Sequence, residues 1–141
     1  MDVVKGDSIR DPAAEMLRHC KGTWITSDRT VTGDAFKPDL DGVSVTWLQY
    51  FQGSRNDQLK AARETIANSR TVRRNHRLAV LNIEAISSVG AASGLQLWVE
   101  HDPIEDPPPN QAHCLIKGVP FENTVVHEAL ALKASVVAAL I

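Results

Sequence analysis

Apolar residues recur at every second position in four separate runs: Val43 to Phe51, Leu78 to Ser87, Leu95 to Glu100 and Ala112 to Lys117. A period of two buries one face of a pleated strand, so each run reads as a strand with one side committed to a core. Val43, Val45 and Trp47 share one face, opposite Ser44 and Thr46. Leu81, Ile83 and Ala85 alternate with Asn82 and Glu84. Leu95, Leu97 and Val99, and then Ala112, Cys114 and Ile116, line up in the same way. Thr23 to Thr26 and Thr30 to Thr32, β-branched and aromatic around Ser27-Asp28-Arg29, read as a further hairpin.

Three stretches carry helix signals instead. Asp11 to His19 has a capping Asp11 and Pro12 at a first turn. From Asp57 to Arg70, Leu59, Ala62, Ile66 and Ser69 repeat at helical spacing after Ser54 or Asn56 as cap. Thr124 to Leu140, capped by Asn123, has a wide apolar face with Lys133 in its middle. An unpaired buried ammonium is costly, so Lys133 must either snorkel to the rim or meet a carboxylate. The sum is an α+β fold: a mostly antiparallel sheet of about five strands, with helices packed on one face.

With 141 residues the chain suits a single domain over 1–141, with 1–10 flexible and the loop HDPIEDPPPNQ (101–111) stiffened by four prolines. Long loops in compact domains are often functional, which makes this one a lip over a site. Cys20 and Cys114 are too few for a disulfide framework. The start lacks the apolar run of a secretion signal, so a cytoplasmic location is expected. The longest apolar run, Ala134 to Ile141, is too short to span a membrane.

Charge is segregated along the chain. Arg55 to Arg77 holds seven Lys and Arg with only Asp57 and Glu64, a net charge of +5 against −7 for the remainder of a chain whose total is −2. Arg63, Arg70, Arg73, Arg74 and Arg77 are the candidate partner-binding residues. Six of the seven are arginines, whose planar fork pairs with carboxylates, and no aromatic residue is interleaved to stack on bases. An acidic protein partner is therefore favoured over a nucleic acid.

Chemistry-bearing constellations are sparse. His19-Cys20 and His113-Cys114 repeat a dipeptide, but neighbours on a strand point to opposite faces, so no metal site is expected. Ser44, Asp102 and His113 are the residue types of a nucleophilic triad, without the G-x-S-x-G elbow around Ser44. Arg18, His19, Thr23, Ser44 and Glu100 can also be grouped as a nucleotide cleft of the ADP-ribosyl-transferring kind. There a basic residue or His holds the nucleotide and a carboxylate orients the acceptor. Gly-rich phosphate loops are missing and no cofactor is expected.

Ala35-Phe36, Ser44-Val45, Asp102-Pro103, His113 with Ile116 and Gly118, and the closing helix that holds Leu130 and Ala131 follow one another in a recurring order. In this order, from about residue 17 onward, the chain resembles a group of small bacterial proteins with no established activity. The resemblance implies one continuous domain and supplies no chemistry. The functional expectation is a small interaction module that self-associates through its C-terminal helix and binds partners through the arginine segment. The alternative is a small enzyme or toxin acting on a nucleotide or nucleic acid near His113 and the Pro-rich loop.

Overall fold

The computed structural model describes residues 3–140. Its strands are β1 (Glu15–Cys20), β2 (Val43–Trp47), β3 (Arg77–Asn82), β4 (Trp98–His101), β5 (His113–Lys117) and β6 (Ser135–Ala138). Its helices are α1 (Arg55–Ser69), α2 (Ile83–Ala92) and α3 (Thr124–Lys133). The strands form one sheet of order β4-β5-β2-β1-β3-β6, antiparallel throughout, so the expected α+β class holds with six strands in place of five.

Helices cover both faces of this sheet, not one. On one face Leu17, Leu78 and Val80 pack under Leu59, Ala62 and Ile66 of α1. On the other Met16, Val43, Val45, Ala79, Leu81, Cys114 and Ile116 pack with Ile86 and Val89 of α2 and Val126 and Leu130 of α3. The central strand β1 is therefore buried on both sides. Where a helix is expected over Asp11 to His19 the chain forms this strand, because Met16 and Leu17, adjacent in sequence, are both in a core and no alternation survives.

Three other boundaries move. The run from Leu78 leaves the sheet at Asn82, whose side chain accepts from the Ala85 N–H and caps α2, so Ile83 and Ala85 are helical. Val43 to Phe51 is a strand only to Trp47 and then a short 3₁₀ turn over Leu48–Tyr50. The closing helix, capped by Asn123 as expected, ends at Lys133. Ser135–Ala138 turns back as β6 beside β3. The apolar stretch that suggested a self-associating helix is thus an edge strand followed by the buried Ala139, and Lys133 is exposed at the helix end. Ile25 and Val31 form a single bridge where a hairpin is expected.

Helix α1 matches its sequence signals closely. Ser54 accepts from the Asp57 N–H while the Asp57 carboxylate accepts from the Ser54 N–H, a reciprocal capping box. The hairpin β4–β5 is joined by the Pro-rich loop, which is itself closed by paired backbone bonds between Ile104 and Asn110.

Candidate active site at a fork in the sheet

Strands β1 and β2 pair only at Met16 with Trp47 and Leu17 with Thr46. Beyond that point they part, although β1 continues to pair with β3 through Cys20 and β2 with β5 through Val43. The sheet is thereby split into halves, β4-β5-β2 and β1-β3-β6, with a fork between Arg18-His19 and Ser44-Val45. A backbone gap in a sheet leaves carbonyls without ladder partners. Arg18 fills that need: its Nη1 donates to the Ser44 carbonyl at 3.0 Å and its Nε to the Ala35 carbonyl at 2.9 Å.

The fork opens into a small cleft of about 40 Å³ lined by Arg18, His19, Ser44, Ser69, Arg70 and His113, over Leu17 and Ile66. The C-terminal end of α1 forms one wall. The other is the Pro-rich loop, through Ile104 and Asn110. Asn110 fastens it to β2 by donating from Nδ2 to Thr46 Oγ1 at 3.2 Å.

Ser44 and His113 face each other across β2 and β5. Thr46 is paired with His113 and Ser44 with Leu115, which puts the four side chains on one face and makes Ser44 and His113 diagonal neighbours. Ser44 Oγ lies 2.6 Å from His113 Nε2. His113 Nδ1 lies 2.7 Å from the Asp102 carbonyl oxygen and 3.2 Å from its Oδ2. Both Asp102 atoms can only accept, so Nδ1 carries the proton, and Nε2 of the neutral ring accepts from the Ser44 hydroxyl. His113 ties the loop to the sheet through Asp102. Glu100 accepts from Trp98 Nε1 at 2.7 Å.

The electrostatics of the cleft are one-sided, since no carboxylate lines it. Among the described residues Arg18 makes no ion pair within 4 Å; it stacks on Trp24 at 5.4 Å, and burial lowers its pKa. His19 Nε2 meets His76 Nδ1 at 2.9 Å, so one ring donates and the other accepts. Burial holds His19 down to about 4, assisted by His76, Arg70 and Arg18. His76, only 8% exposed, is lowered too, by burial and by Arg73.

Of the nucleotide grouping, Arg18, His19 and Ser44 converge here. Thr23 and Glu100 do not line the cleft, and the β5 side chain facing it is His113 where that chemistry calls for a carboxylate. The arginine segment is divided: Arg70 reaches the cleft, Arg63 donates from Nε to the Ala138 carbonyl at 3.0 Å, and Arg74 and Arg77 lie by β6. Ser69, His76 and Asn110 belong to the site or its support, and only the chain's return at the end of α1 and the loop closure bring them there. No group of three or more His, Cys, Asp and Glu side chains is placed to hold a metal among the described residues. Burial pushes the Cys20 thiol up to about 11 and the Cys114 thiol up to about 12, which makes them inert core residues.

No helix among the described residues is long and apolar enough to cross a membrane. Comparisons with family models, curated proteins and solved structures returned no match to the chain.

Proposed function

We propose that the chain is a small transferase of the ADP-ribosyl-transferring kind, which binds a dinucleotide such as NAD as substrate in the fork between β1 and β2. The observation that carries this reading is the carboxylate-free, Arg- and His-lined cleft in which a fixed serine hydroxyl sits. A pyrophosphate needs cationic donors that are not already neutralised, and Arg18 and Arg70 meet that need. Ribose hydroxyls need neutral donors and acceptors, which Ser44, Ser69 and Asn110 supply. The cleft is too small for a whole nucleotide, so the remainder lies over Arg70 and the Pro-rich loop.

In such a reaction the bond between ribose C1′ and the nicotinamide nitrogen breaks, and its electron pair leaves with nicotinamide. The acceptor hydroxyl forms the new C1′–O bond and gives its proton, directly or through Ser44, to Nε2 of His113. The proton on Nδ1 stays with Asp102, which stabilises the imidazolium that forms. The test is calorimetric titration with ADP-ribose and chromatographic detection of nicotinamide released from NAD. Micromolar to millimolar binding, lost in Arg18→Met and Ser44→Ala proteins that keep the native circular dichroism, is expected. No heat from ADP-ribose and no nicotinamide would refute the reading.

The contact between Ser44 and His113 also suits a serine hydrolase. Ser44 lies within a regular strand, however, without the sharp strand-to-helix turn that presents a nucleophile. Covalent labelling of Ser44 by a fluorophosphonate would favour that chemistry over dinucleotide binding.

A further inference from the structure

The sheet ends at β6, which pairs with β3 along one side and has no neighbour on the other among the described residues. β6 is short, and Arg63 Nε already donates to its Ala138 carbonyl, but its sequence, Ser135-Val136-Val137-Ala138, has no lysine, no proline and no inward charge. Alongside it runs a groove of about 530 Å³, floored by Val136, Val137, Ala138 and Leu140 and walled by Arg29, Arg74 and Arg77.

Among the described residues these arginines meet no carboxylate within 4 Å. Of the seven Lys and Arg between Arg55 and Arg77, only Arg55 meets a carboxylate within 4 Å among the described residues, and that is Glu15 at the far end of α1. Arg77 is held ready instead: its Nη1 donates to the carbonyls of Arg74 and His76, both at 2.8 Å. Arg29 is fixed in a turn at φ 63.

We propose that the outer edge of β6 takes an extended acidic segment of a partner protein as a seventh strand, its carboxylates meeting Arg29, Arg74 and Arg77. Strand addition satisfies the edge groups that Arg63 leaves open, the apolar lining takes alternate side chains, and the arginine wall selects for acids. A second copy of this chain is a poor occupant, because pairing two β6 edges would bring their arginine walls together. The apolar floor and the strand edge offer nothing to the bases of a nucleic acid. This docking does not depend on the chemistry assigned to the fork.

Fluorescein-labelled nine-residue peptides alternating Glu with Val, Ile or Thr, and counterparts with Lys for Glu, should be titrated against the full chain by anisotropy. Saturable binding of at least one acidic peptide and none of the basic ones is expected. The Arg29→Glu/Arg74→Glu protein, altered only at exposed side chains, should weaken it by about tenfold or more. Any of three results would overturn the proposal: no acidic peptide bound at millimolar concentration, equal binding by the double variant, or a single-stranded oligonucleotide competing more tightly for the same arginines. A dimer in sedimentation that Val137→Lys dissociates would assign the edge to a second copy and overturn it as well.

Discussion

Nη1 of Arg18 donates to the Ser44 carbonyl at 3.0 Å, from β1 to β2, just where the two backbones stop pairing. One side chain thus bridges the two backbones where the fork removes their pairing, and it places a desolvated cation at the Ser44 carbonyl. Structure and binding are joined in the same residue, which is why its replacement has two readouts. Arg18→Met should lower stability by about 1–3 kcal/mol, because the Ser44 and Ala35 carbonyls lose a charged donor while a buried cation is removed. Arg18→Lys should recover part of that stability without recovering ADP-ribose binding, since an ammonium cannot hold two carbonyls and a phosphate in one plane. Urea denaturation and calorimetry on the two variants separate the effects. Wild-type affinity in Arg18→Lys would contradict the role.

Acidification should destabilise the protein between about pH 6.5 and 4. His19 and His76 have folded pKa values below the ordinary 6.5, so in this window the unfolded chain binds more protons than the folded one, and stability falls as pH falls. The stabilisation is complete above the unfolded pKa. His19→Gln should flatten this part of the curve of urea midpoint against pH. An unchanged slope in the variant would show that the His19–His76 contact does not carry it.

The two thiols should be silent in the native state. Cys20 and Cys114 are fully buried with raised pKa values, so Ellman's reagent at pH 8 should titrate neither before unfolding and both in denaturant. Prompt reaction of either thiol would mean that the sheet opens locally at β1 or β5.

How much of this was legible in the sequence depends on burial. Where one face is buried and the other wet, as in α1 or along Ala112 to Lys117, the period showed the element and even the cap. Where both faces are buried, as at Met16-Leu17 in β1, the period vanished and a capping Asp with a Pro misled. Val136 and Val137 extend an apolar helix pattern, and only the competing pairing with β3 makes them a strand. The site was partly legible: Arg18, His19, Ser44 and His113 could be named as chemical types. Their convergence depends on the register of β2 with β5 and on the parting of β1 from β2, both long-range facts that local spacing does not encode. Glu100, the carboxylate expected in the nucleotide grouping, is occupied by Trp98, and His76 had no signal beyond its place in a basic run.

The C-terminal end of helix α1 closes one side of the cleft through Ile66, Ser69 and Arg70, so substitutions at its two ends should separate folding from binding. Ser54→Ala removes the acceptor for the Asp57 N–H while the backbone N–H at position 54 still donates to the Asp57 carboxylate, at a cost of about 1 kcal/mol. The cap lies at the opposite end of the helix from Arg70, so the substitution should lower the urea midpoint while leaving ADP-ribose affinity nearly unchanged. Ile66→Ala, by contrast, removes a buried side chain from the floor of the cleft itself. It should cost about 2–5 kcal/mol and also loosen Ser69 and Arg70, so stability and affinity fall together. If Ser54→Ala weakened binding as much as Ile66→Ala at matched stability, α1 would act on the cleft through its overall anchoring and not through the wall it presents.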